Sequence, residues 1–142
     1  MPEDKSFNLE IVTPERVVLR ERVDSVIFPT WNGYYGVMVN HMPFITGVTT
    51  GTVTLRKDKE TEKVAVTSGF VMVQPDHTIL LVNTAERASE IDIERAKDAY
   101  RRALRRLRQR ISSVNYTRAQ VALERAANRL RTLGISTDDI EI

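Results

Sequence analysis

The chain has 142 residues, 42% hydrophobic and 28% charged, with a formal net charge of +2 and no cysteine. That length gives one large domain or two small ones with a modest core, and the missing cysteine excludes a disulfide scaffold, a thiolate metal site and a thiol nucleophile. No apolar run approaches the roughly 20 residues that span a bilayer, and the polar, acidic opening MPEDKSFNLE is unlike a secretory signal, so an intracellular soluble chain is expected.

Through residue 84 the pattern is that of β-structure. Phe7, Leu9 and Ile11 alternate with polar residues, as do Val64 and Val66, and short branched runs fall at 17–19, 25–28 and 78–82. Turn signals recur at Thr13-Pro14, Asn32-Gly33, Gly47, Gly51, Lys57-Asp58-Lys59, Gly69 and Pro75-Asp76. Many short strands at this spacing, with no helical period between them, predict an antiparallel β-sandwich or flattened barrel over residues 1–86.

After a linker at 87–90 the period changes. Ala96, Tyr100, Ala103, Leu107 and Ile111 form one stripe at helical spacing, with Asp92 placed to cap the first turn. ISSVN (111–115) reads as a loop whose Asn115 caps a second helix. That helix carries Ala119, Leu123, Ala126, Leu130 and Leu133, and Gly134 ends it. Two helices and a short loop over 91–134 predict an antiparallel hairpin, followed by a loose acidic tail at 135–142. Stripes rich in alanine bury little area, so the hairpin should be marginal alone and able to dock, undock or open.

Charge divides the same way. Residues 1–90 carry nine Lys/Arg against twelve Asp/Glu, a net −3, whereas 91–142 carry twelve against seven, a net +5. Six of residues 101–110 are arginine. Arg95, Arg102 and Arg106 share one side of the first helix, Arg101, Arg105 and Arg108 lie opposite its apolar stripe, and Arg118, Arg125 and Arg129 repeat the first spacing on the second. Like charges about 4 Å apart repel by ~1 kcal/mol in water and ~4 kcal/mol at an effective dielectric of 20. A closed hairpin would therefore welcome an anion between its rows, and an open one would turn them toward an acidic partner. A solvated basic face, with Glu94, Asp98 and Arg102 as helical neighbours, is the plain alternative. Nucleic acid is disfavoured, because no base-stacking aromatics accompany the charges and no helix-turn-helix, zinc-finger or RRM signature is present.

Phosphate-loop, nucleophile-elbow and HExxH motifs are absent. His41 and His77 stand apart from clustered carboxylates, so neither is assigned to a metal, and no residue is assigned to catalysis. Trp31, Tyr34 and Tyr35 are stiff aromatics suited either to an interface or to a turn and core.

Three stretches in this order carry a resemblance: FNLEIVTPERVVL near the start, GYYGVMVNHMP at 33–43, and IDIERA at 91–96. Together they resemble the epsilon subunit of bacterial F-type ATP synthase, from about Phe7 to Leu133. The second matches the family's G-x-x-G-x-x-x-x-H-x-P loop, and the third its [IL]-D-x-x-R-A nucleotide motif. Two departures are Met38-Val39-Asn40 where the family has L-P-G, and Ser68-Gly69-Phe70 where it has G-G-F.

The resemblance implies a non-catalytic subunit of the central stalk on the cytoplasmic face of the bacterial inner membrane, touching the membrane only through the complex. Its sandwich would bind the gamma subunit and the c-ring loops, with Trp31, Gly33, Tyr34, Tyr35, Gly36, His41 and Pro43 as contacts. It implies no required cofactor, but ATP as a regulatory ligand of the folded-down hairpin, held by Ile91, Asp92, Arg95, Ala96, Arg102, Arg125 and Arg129, with Glu86 just upstream. Asp92 either bonds the ligand or only caps the helix. Extended, the hairpin would bring Arg101, Arg105, Arg106, Arg108 and Arg118 to the acidic segment of the beta subunit and inhibit ATP hydrolysis. The competing reading is a stand-alone nucleotide-sensing or nucleic-acid-binding adaptor.

Overall fold

Phe7, Leu9 and Ile11 are buried while Asn8 is exposed, the period-two signature of a strand with one covered face. The computed structural model describes residues 5–109 and 113–140 and divides the chain into two units, Met1–Arg87 and Ala88–Ile142.

The first unit contains β1 (Phe7–Val12), β2 (Val17–Val23), β3 (Ser25–Thr30), β4 (Gly33–Met38), β5 (Phe44–Val48), β6 (Gly51–Lys57), β7 (Glu60–Val66), β8 (Gly69–Val73), β9 (His77–Val82) and β10 (Ala85–Arg87). They form two five-stranded sheets, ordered β2-β1-β9-β8-β5 and β10-β7-β6-β3-β4. Every pairing is antiparallel except β1 with β9. The sandwich core is filled by Phe7, Leu9, Ile11, Phe28, Leu55 and Leu80 with many valines.

Gly69 shows why a glycine opens β8. A Cβ there would stand 2.0 Å from the Leu81 carbonyl oxygen and 2.7 Å from Val82 Cα, so only a bare backbone lets β8 approach β9. This is a demand for close approach rather than for a glycine-only dihedral, since Gly33 and Gly134 alone among the described glycines have positive φ.

Arg87, at the last position of β10, joins the sheets along one side of the sandwich. It donates to Glu62 of β7 from Nε and from Nη2, the latter at 2.8 Å, and to Glu21 of β2 at 3.2 Å. Lys57 Nζ lies 2.6 Å from the other oxygen of Glu21. The hydrogen bond from Lys57, with help from Arg87, holds the Glu21 carboxyl below its ordinary range despite partial burial.

The second unit begins with a 3₁₀ turn at Ala88–Glu90, so the residues read as a linker are structured: Arg87 is strand and 88–90 are turn. Helix α1 spans Ile93–Arg108 and α2 Ser113–Thr132, and they pack on each other. Asp92 caps α1, its carboxylate accepting from the Arg95 backbone N–H at 3.1 Å. The seam is built of small side chains, with Ala96, Ala103, Ala119, Ala126 and Ala127 buried and Leu130 the one fully buried large residue among those described in the helices. Ile111 of the expected stripe lies outside the described residues.

Asn115 is not the cap expected of it, because α2 already begins at Ser113. The C-terminus of α2 follows the sequence reading: Gly134 has φ 76, its N–H meets the Arg131 carbonyl at 2.9 Å, and that of Ile135 meets Leu130 at 2.9 Å, a Schellman motif. The described part of the expected loose tail makes a 3₁₀ turn, Thr137–Asp139, capped by Ser136, and Ile140 behind it is buried.

Candidate functional site

The outer face of the first sheet breaks the rule that solvent-facing strand positions are polar. Register places Ile45, Met72 and Ile79 in one row across β5, β8 and β9, and Gly47, Phe70, Leu81 and Val12 in the next. Ile45 is 68% exposed, Phe70 64% and Leu81 50%. Beyond them the face turns polar, with Glu10 bonded to Arg20 at 2.7 Å. At one end Trp31, Phe70, Leu81, Pro14 and the bare Gly47 and Gly69 line a groove of about 650 Å³. The Trp31 indole lies over Gly47, where a Cβ would come within 3.4 Å of Nε1, yet the side chain as a whole is 84% exposed. Singly scattered apolar residues need no explanation, but contiguous rows of them mark an interaction surface.

Tyr34, expected at the same contact, sits on the other sheet. Its hydroxyl accepts from the Thr52 backbone N–H at 3.3 Å, and its ring reaches over Gly51, where a Cβ would stand 2.9 Å from that hydroxyl. Gly36 leaves β4 bare opposite Ile27, and the exposed Met38 ends the strand.

Tyr35, His41 and Phe44 form an aromatic cluster with Phe28. His41 Nδ1 lies 2.8 Å from the Met42 carbonyl, an acceptor only, so Nδ1 carries the proton. Nε2 then accepts from the Tyr35 hydroxyl at 2.8 Å. Both ring nitrogens are thus used within the loop, and His41 orders it. Asn40 stands where the family has glycine and adopts φ 64, a left-handed conformation asparagine tolerates. Its N–H bonds the Pro75 carbonyl at 2.8 Å, which ties down the loop despite the lost proline. Pro43 is exposed beside it.

On the second unit Arg95, Arg102, Arg105, Arg106, Arg108, Arg118 and Arg125 are exposed, while Arg101 and Arg129 are partly covered. Asp98 accepts from Arg101 at 3.0 Å, three residues on, rather than from Arg102 as the four-residue spacing suggested. Ile91 and Ala96 of the nucleotide motif are buried, so they pack rather than present polar atoms. Glu86 lies in β10 opposite Ala65, in the first unit rather than with the arginines.

Sequence reasoning missed Ile45, Phe70, Met72 and Leu81. The signal was there: FVMV at 70–73 and ILLV at 79–82 are apolar at every position, and a strand that does not alternate carries two apolar faces, one more than the sandwich core covers.

The beta-sandwich domain of the ATP synthase delta/epsilon chain matches residues 6–88, and the long alpha-helix domain of the same chain matches 89–134. The chain belongs to the ATP synthase delta/epsilon family. It is 52% identical over 106 residues to the ATP synthase epsilon chain of Moorella thermoacetica, covering 74% of this chain and 79% of that one. It is 45% identical over 104 residues to that of Pelotomaculum thermopropionicum, with 73% and 78% covered. A solved chain of the Euglena gracilis mitochondrial ATP synthase, from a structure of its OSCP/F1/c-ring, shares the fold at TM-score 0.79 and 19% identity, covering 90% of this chain and 81% of that one. As an epsilon-type member of the delta/epsilon family, the chain is a subunit of an ATP synthase.

Proposed function

We propose that this subunit is a non-catalytic part of the central stalk, couples the rotor to the catalytic head, and restrains ATP hydrolysis through its helical unit. The apolar rows of Ile45, Met72, Phe70 and Leu81 dock the gamma subunit, and the tip bearing Trp31 and Tyr34 meets the c-ring loops on the cytoplasmic side of the membrane. The observation that carries the reading is the division of the chain into an apolar-faced sandwich and a separate, arginine-covered hairpin with an alanine seam.

Such a seam leaves the hairpin free to exchange states. Folded, it holds ATP, with Arg102, Arg125 and Arg129 answering the phosphates. Extended, it offers Arg101, Arg105, Arg106, Arg108 and Arg118 to the acidic segment of the beta subunit. A ligand that binds only the folded form stabilises it by about 2.7 kcal/mol at a hundredfold excess over its Kd. That shift is enough to hold the hairpin down when ATP is abundant and release it when ATP falls.

The test compares ATP hydrolysis by the catalytic head assembled with the full chain or with a chain ending at Ser89. Faster hydrolysis with the truncated chain, still bound to gamma, is the expected result. Equal rates in the two assemblies would remove the inhibitory role.

A further inference from the structure

Of the six asparagines in the chain, Asn32 alone is followed by glycine. The pair lies at the tip of the β3–β4 hairpin, where Trp31 and Asn32 connect the paired Thr30 and Gly33. Gly33 closes the turn with φ 106, and a Cβ there would meet nothing within 4 Å, so no side chain crowds the turn at the Gly33 Cα. Asn32 and Gly33 are both exposed.

We propose that Asn32-Gly33 is a site of spontaneous covalent self-modification that writes a negative charge into the hairpin tip. The Gly33 backbone nitrogen attacks the Asn32 side-chain carbonyl carbon and forms a five-membered succinimide. The Cγ–Nδ2 bond breaks, and ammonia leaves with the proton given up by the Gly33 N–H. Water then opens the ring at either carbonyl, which yields aspartate or isoaspartate; nothing is oxidised or reduced. The new carboxylate lies next to Trp31 in the chain and two residues before Tyr34, which are 84% and 62% exposed. The isoaspartate product also adds a carbon to the backbone of a tight turn and re-aims both aromatics.

The Thr30 hydroxyl restrains the reaction. It donates to the Gly33 carbonyl at 2.6 Å and accepts from the Asn32 N–H at 3.3 Å, pinning both sides of the peptide that must rotate.

The experiment holds the purified full chain at mildly alkaline pH and follows each asparagine by peptide mass spectrometry, with isoaspartyl methyltransferase labelling to separate the two products. Asn32 should convert first, ahead of the exposed Asn8 and Asn83. In Thr30→Val its rate should rise roughly fivefold, the population change expected on losing about one net hydrogen bond, while Asn8 and Asn83 keep their rates. Conversion of Asn32 no faster than that of Asn8 or Asn83 overturns the assignment of the site. A Thr30→Val rate that is unchanged, or that rises equally at all three asparagines, overturns the restraint.

Discussion

Replacing Arg87 with methionine keeps much of the side chain's apolar stem and removes its charge. Three things are then lost: two hydrogen bonds to Glu62, one to Glu21, and the cation separating those carboxylates. The side chains of Arg87, Glu62 and Glu21 are 29%, 28% and 23% exposed, so water screens them only in part. Exposed ion pairs contribute about 0–1 kcal/mol, whereas shielded bonds to charged groups contribute about 1.5–3 kcal/mol. Intermediate shielding and the two carboxylates left facing each other place Arg87→Met at about 2 kcal/mol of lost stability. Urea unfolding of the full chain by far-ultraviolet circular dichroism measures it, and hydrogen exchange at Ala85–Arg87 locates it.

The loss carries a pH signature. Glu21 is held below its ordinary range, chiefly by the Lys57 hydrogen bond and further by Arg87. A depressed carboxyl stabilises the fold fully above its unfolded value and loses that contribution as pH falls through the folded one. The gap between wild type and Arg87→Met is therefore full at neutral pH and shrinks in acid. A neutral-pH difference within about 0.5 kcal/mol, or one that widens in acid, would refute the reasoning.

Gly69→Ala forces a methyl group against the Leu81 and Val82 backbone and should cost about 3 kcal/mol or prevent folding; thermal unfolding within a degree or two of wild type would contradict this. Thr78 is fully buried and its hydroxyl has no partner among the described residues. Thr78→Val should accordingly gain about 1 kcal/mol and raise Tm by a few degrees in calorimetry. Asp92→Ala should cost α1 about 1 kcal/mol by hydrogen exchange while Asp92→Ser retains the cap; weaker ATP binding by the Ser variant would show that the carboxylate also reaches the nucleotide.

Local chemistry made much of the molecule legible before any fold was known. Alternation at Phe7, Leu9 and Ile11, the Asp92 cap and the Gly134 terminator are decided within a few residues of the chain, and each is found where the sequence places it. α2 starts ahead of Asn115 because serine suits a helix start as well as asparagine does and ISSVN offers both, so residue type alone does not choose the start.

What the sequence determined by itself, then, is the division into a β-module and a basic helical module, with the period of each, because hydrophobic spacing and charge are properties of the chain alone. Which strands become neighbours was decided only in three dimensions. Register brought Ile45 from β5, Phe70 and Met72 from β8 and Leu81 from β9 onto one exposed face, and gathered Glu21, Lys57, Glu62 and Arg87 across two sheets. These groupings join residues far apart in the chain, and no local rule fixes such pairings. They follow from which packing of the whole sandwich buries the most apolar surface while satisfying its backbone.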